Sequence, residues 1–141
     1  MHRIVLDTDV VVAALRSPQG ASAALLQCID QGLSTLLLSV PLALEYEAVC
    51  RLPEHRLATG LSMEDIDVFI NTLIGLAEPV NIHFLWRPQL RDAGDEMVLE
   101  TAVNGRAKAL VTFNQRDYGS APEFFGIQVL LPREALRRIK A

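Results

Sequence analysis

Three short runs of this chain are apolar at every position: Ile4-Val5-Leu6, Leu36-Leu37-Leu38 and Ala109-Leu110-Val111. A fourth stretch, Ile127 to Leu131, is nearly so. A strand with one wet face alternates apolar and polar residues. A strand apolar throughout needs cover on both faces, which is the situation in a parallel sheet flanked by helices. The intervening segments carry helical spacing. Ala21, Ala24, Leu25, Cys28 and Ile29 form one stripe that Gly32 closes, and Pro41 suits the first turn of a helix running to about Arg51. Ser62 and Asp65 form a capping box ahead of the stripe Ile66, Phe69, Ile70, Leu73 and Ile74. Asp95 to Asn104 reads as helix with Gly105 as its stop, and Pro132 opens a short basic helix. Val80 to Leu85 reads as a short strand or an extended connection. The order is βαβααβαβα, an α/β fold in one domain spanning residues 1–141. Ligands of such sheets bind beyond the carboxyl ends of the strands, so the polar residues there are the candidates.

Four groups of acids fall at those ends or on helices that meet there. Asp7 follows the first strand, with Asp9 two residues later; the plain alternative is a helix cap. Glu45 shares a helical stripe with Leu42, Tyr46, Val49 and Leu52, whereas Glu47 falls on the other side and pairs with Arg51. A carboxylate on an inward face costs several kcal/mol, about that much unless paired or bound to a cation. Asp92, Asp95 and Glu96 crowd a helix start beyond what capping needs, and spacing leaves open which of Asp95 and Glu96 turns inward. Thr112, Asn114 and Asp117 follow the third apolar run. Oxygen donors of this kind suit a hard cation such as Mg²⁺ or Mn²⁺.

Composition narrows the rest. Half of the 141 residues are hydrophobic and the net charge is −4, so a core is available and a tight nonspecific nucleic-acid binder is disfavoured. Neither a membrane span nor a signal peptide is apparent, and a cytoplasmic location is expected. Two cysteines in apolar helical patterns read as small hydrophobes, not a disulfide framework. His2, His55 and His83 match neither a zinc site nor a Ser/His/Asp arrangement, and there is no phosphate loop. Tyr46, Tyr118, Trp86 and the five Phe residues read as core or edge packing.

The segments IVLDTDVVVAAL, LLLSVPLALEYEAVCRLPEH, LRDAGDEMVLETAVNGRAKALVTFNQRDY and IQVLLPREAL resemble, in this order, the PIN-domain family, and within it the VapC-like toxins. The resemblance implies a three-layer fold with strand order 3-2-1-4-5. It also implies metal-dependent RNA cleavage, an antitoxin partner and frequent homodimers. Asp7 matches the family's acid after the first strand, and Glu45 the acid on the helix after the second. Counted back from Thr112, Glu96 matches the acid opening the later helix, with Asp95 its close competitor and Asp92 behind them. The last acid of the family is Asn114 here, and Asp117 stands near enough to replace its charge. Asp7, Glu45 and Asp95 or Glu96 are therefore expected to hold one or two Mg²⁺ or Mn²⁺ ions, with Thr112 in support. Arg16, Arg87, Arg91 and Arg116 adjoin these segments and are weaker candidates for RNA contact. Two other readings remain. Asp7-Thr8-Asp9-Val10 also fits the nucleophile loop of haloacid-dehalogenase-like phosphatases, with Ser39 and Lys108 as further motifs, though Glu45 has no role there. Alternatively, Asn114 marks a PIN module that binds RNA or protein without cutting.

Overall fold

A computed structural model describes residues 2–83 and 90–141. In chain order the elements are β1 (His2–Leu6), α1 (Thr8–Arg16), α2 (Ala21–Asp30), β2 (Ser34–Leu38), α3 (Val40–Cys50), α4 (Pro53–Thr59) and α5 (Met63–Leu76). Then follow β3 (Glu78–Pro79), α6 (Ala93–Asn104), β4 (Ala109–Val111), a 3-10 turn (Gln115–Tyr118), α7 (Ala121–Phe124), β5 (Gln128–Leu130) and α8 (Pro132–Lys140). The strands form one parallel sheet in the order β3-β2-β1-β4-β5. Helices cover the sheet as a three-layer α/β/α fold, and the apolar runs lie in its middle. Ile4, Val5 and Leu6, Leu36 and Leu37, and Leu110 and Val111 are all buried, packed with Leu25, Leu42, Tyr46, Ile66, Val98 and Leu99.

Several local devices fix the frame. Ser62 and Asp65 cap α5 reciprocally as their spacing suggests. At the end of α6 the backbone runs so close to β2 that a Cβ on Gly105 would lie 2.9 Å from Val80 Cγ2 and 3.0 Å from Leu37 Cδ1. Only glycine fits there. Strand β3 is Glu78–Pro79, just ahead of the Val80 to Leu85 stretch read as a short strand or an extended connection, and is continued by one bond from Val80 N–H to the Leu38 carbonyl. Proline lacks the N–H for a second ladder, so it belongs on an edge strand, which β3 is. Phe84 and Leu85 of that expectation, with Trp86 and Arg87, lie outside the described residues. Helix α4, absent from the sequence reading, starts at Pro53 and stops at Gly60 in the left-handed conformation (φ 73°). Among the described residues no helix is long and apolar enough to cross a membrane.

Because β1, β2 and β4 run parallel and in register, their last residues face the same way. Leu6 pairs with Val111 at the β1–β4 border. Asp7, Ser39 and Thr112 each follow a strand end, so the topology brings them to one edge of the sheet.

Candidate active site

Asp7 is buried where β1 passes into α1, and it caps that helix. Its backbone N–H bonds the Val111 carbonyl at 2.9 Å, pinning it to β4. One carboxylate oxygen accepts from Thr8 N–H (2.7 Å) and the other from the Thr112 hydroxyl (2.8 Å). The Tyr118 hydroxyl is near enough to Asp7 to lower its pKa. Thr112 is fully buried, and its hydroxyl oxygen accepts in turn from Asn114 N–H at 2.9 Å. Tyr46 on α3 donates to the Leu6 carbonyl, tying α3 to the end of β1.

Asp9 sits in the first turn of α1 and faces the segment after β4. Its Oδ2 accepts from Phe113 N–H and from the Asn114 amide nitrogen, both at 3.1 Å. Its Oδ1 is buried with no hydrogen-bond partner. Asn114 therefore acts as a clamp on Asp9.

Helix α6 supplies the opposite wall. Asp92 is its N-cap, accepting from Gly94 N–H (2.7 Å) and Asp95 N–H (3.1 Å). Asp95 faces the cluster, with the Tyr118 hydroxyl 3.4 Å from Oδ1. Glu96 is buried on a different line, where Oε1 accepts from Leu90 N–H at 2.5 Å. Glu45 is half-buried and lies on the flank of α3, because the buried line there is Leu42, Tyr46 and Cys50 and not the stripe through Val49 and Leu52. A Cβ on Gly94 would lie 3.8 Å from Glu45 Oε1, so the bare glycine lets that carboxylate approach the start of α6. Glu47 pairs with Arg51 at 3.2 Å.

These side chains border two adjoining clefts. A cleft of about 380 Å³ is lined by Asp7, Thr8, Asp9, Glu45, Asp92, Gly94 and Asp95, with Val12 and Val49. A larger one of about 830 Å³ shares Asp92 and Asp95 and continues past Arg91, Arg116, Asp117, Tyr118 and Ser120 to Phe124. The electrostatics follow from crowding. Burial raises the pKa of Asp7 despite Thr112, Tyr118 and Thr8, which lower it. Asp9 is pushed up to about 6 by burial and then by the Asp7 charge. Asp95 is likewise pushed up to about 6, by burial and by Asp7, Asp92 and Asp117. Burial and the same acids raise the Tyr118 phenol, which stays a hydrogen-bond donor.

The profile of the PIN domain matches residues 3–116, which is most of the chain and includes Asp7, Glu45, Asp95 and Thr112. The chain belongs to the PIN domain family. Among solved structures, this PIN domain is similar to the crystal structure of VapBC2 from Rickettsia felis bound to a DNA fragment from their promoter. The two share 13% identity over 90% of this chain and 96% of that one, with a TM-score of 0.62. At that identity the likeness speaks for the fold alone. No curated protein matches the chain.

The phosphatase reading fails on geometry. Lys108 immediately precedes β4 and donates its N–H to the Arg3 carbonyl, so it lies at the opposite end of the sheet from Asp7. The Ser39 hydroxyl is engaged with Thr101 at 2.7 Å.

Among the described residues, no three acidic, histidine or cysteine side chains already form a cage for an ion. The donor chemistry nevertheless fits a hard divalent cation. Every donor is oxygen, three carboxylates are held against their mutual repulsion, and Asp9 Oδ1 is buried without a partner. Mg²⁺ usually takes one or two carboxylates and keeps several waters, so a closed cage is not required. Of the arginines named from sequence, Arg91 and Arg116 line the larger cleft, whereas Arg16 stands at the far end of α1 with Nη1 3.5 Å from His55 Nδ1. Sequence reasoning set Asp9 beside Asp7 without giving it a role in the site, and read Tyr118 as packing. The signal for Asp9 was its spacing: two residues after a strand-end acid puts it in the first turn of α1, which faces β4.

Proposed function

We propose that this PIN domain is a divalent-cation-dependent endoribonuclease, acting as the toxin of a type II toxin–antitoxin pair. The reading rests on one observation above the others: carboxylates from three separate segments, Asp7 and Asp9, Glu45, and Asp95, line one cleft at the sheet's carboxyl edge.

Asp7, Glu45 and Asp95 would hold the Mg²⁺ or Mn²⁺, with Asp9 beside them. Bound there, the cation would supply Lewis acidity at a phosphoryl oxygen and lower the pKa of water. The chain's own residues arrange the rest. Thr112 and Thr8 N–H fix both oxygens of Asp7, so its orientation is set before any ligand arrives. Asn114 keeps the charge of Asp9 turned toward the cleft, and Asp117 adds negative charge felt at Asp7 and Asp95. Glu96 positions the segment before α6 through Leu90 N–H and acts as a support for Asp95, not as its equivalent. Arg91 and Arg116 offer charge to the RNA backbone.

Asp7→Asn tests the assignment. The variant keeps an oxygen for Thr8 N–H, so it folds. It is expected to lose about 10²-fold or more in metal-dependent RNA cleavage. A purified variant cutting like wild type sinks the site. Calorimetry with Mn²⁺ separates a nuclease from a non-cleaving module, which would show no divalent binding. A wild-type chain that arrests growth of a bacterial host when induced, while Asp7→Asn does not, supports the toxin role. Co-purification with the product of an adjacent reading frame and a dimeric mass in solution test the antitoxin and homodimer.

A further inference from the structure

Phe124 has no folding role that its position explains. It is 82% exposed, on the wall of a cleft whose other lining is mostly arginine, aspartate, serine and tyrosine, with Leu90, Gly119 and Ala121. Its neighbour Phe125 packs against the core, and Pro122 is buried. Both ends of the segment are bonded down: Phe124 N–H reaches the Ser120 carbonyl at 3.3 Å, and Gly126 N–H and Ile127 N–H reach Glu123 and Pro122 at 2.9 Å. The ring is thus presented from an anchored turn. It meets Phe125 edge to face, with centroids 5.1 Å apart and planes at 86°. That arrangement uses an edge contact and leaves ring surface for another π-system.

The surroundings match one kind of occupant. Arg91 and Arg116 are exposed in the same cleft, and among the described residues neither is held in an ion pair. The cleft of about 830 Å³ lies within the range of sites that hold a small ligand. It leads directly to Asp95, shared with the acid cleft. A planar apolar face, cations for phosphate and continuity with the acids are what a single-stranded nucleotide needs. An antiparallel protein strand or helix would find acids and arginines where it needs an apolar floor.

We propose that Phe124 is the stacking platform for an unpaired base of the RNA, set beyond the scissile position, with Arg116 and Arg91 on the adjoining phosphates. This rests on the nuclease reading for the identity of the strand, but its test does not depend on turnover. Binding of a labelled single-stranded RNA oligomer is measured by fluorescence anisotropy in chelator for wild type and for Phe124→Ala, Phe124→Leu and Phe124→Trp. An exposed side chain leaves the melting temperature unchanged, so all three fold. Ala and Leu are expected to weaken binding about tenfold or more, and Trp to retain it, because stacking needs a ring. In cleavage assays the Ala variant raises KM and leaves kcat unchanged. Wild-type affinity in the Ala variant overturns the proposal. So does full affinity in the Leu variant, which would mark a merely greasy contact. So does unchanged RNA binding together with loss of a protein partner, which would assign the ring to that interface. Wild type that binds through Phe124 yet never cuts RNA supports this proposal and overturns the nuclease reading; cleavage with wild-type binding by every variant does the reverse. No RNA binding by wild type overturns both.

Discussion

Thr112 links two of the acids in the cluster. Its buried hydroxyl donates to Asp7 Oδ2 and accepts from Asn114 N–H, and Asn114 in turn holds Asp9. Thr112→Val keeps the shape and removes both bonds, leaving two polar groups without a partner. We expect a loss of about 1–3 kcal/mol in urea denaturation and a fall in cleavage. Thr112→Ser keeps the hydroxyl and both properties. A Val variant as stable as wild type would mean these bonds carry no weight. Asn114 permits a sharper test. Asn114→Asp places a second carboxylate against Asp9 Oδ2 in place of a donor, adding repulsion. Without metal the variant should melt lower than wild type; with Mn²⁺ it should bind the ion more tightly, as calorimetry would show. Weaker Mn²⁺ binding would mean that the Asn clamp, and not charge, is what that position contributes.

Helix α6 begins where two demands on one residue coincide. Asp92 caps the helix and also stands beside Asp95, whose acidity it suppresses. Asp92→Ala removes the cap and is expected to cost about 1 kcal/mol. Asp92→Ser retains a capping oxygen and discards the charge, so it should restore stability. If cleavage follows stability across the pair, Asp92 is a cap; if Ser stays as impaired as Ala, its charge serves the site. This double duty shows what was legible in the sequence. Strands β1, β2 and β4 could be read because continuous apolar runs have few alternatives, and α2 and α5 because their stripes span several turns. Helices α4 and α7 and the 3-10 turn are too short for periodicity to register. The site was legible as a set of acids, since strand ends are fixed by the runs before them. Which acids turn inward was not. Glu45 sits on the flank of α3 because Cys50, not Val49, continues its buried line, and Asp95 and Glu96 are separated only by the docking of α6. Tyr118 reads as packing until the turn after β4 brings its hydroxyl to Asp7 and Asp95.

The whole molecule carries the strain of its acids. Asp9 and Asp95, each raised to about 6, bind protons more tightly folded than unfolded, where a carboxylate titrates near 4. Their protonated forms favour the fold. That contribution is complete below about pH 4 and is lost as pH rises through about 6. In chelator, wild type should therefore lose stability between about pH 5 and about pH 7 relative to an Asp9→Asn/Asp95→Asn variant, in which neither group titrates. The comparison cancels Asp65 and Glu78, whose lowered values act in the opposite sense at more acid pH. A divalent cation that binds only the folded chain reverses the trend. At a hundredfold excess over its dissociation constant it adds about 2.7 kcal/mol, which raises the melting temperature of a chain this size by several degrees. Because the carboxylates must lose their protons to bind it, the stabilisation should grow over the same interval in which the metal-free protein weakens. Thermal melts with Mn²⁺ and with chelator across that interval measure both slopes. Parallel curves, unaffected by the ion and identical in the double variant, would mean that the acids are no cation site and that their repulsion is relieved some other way.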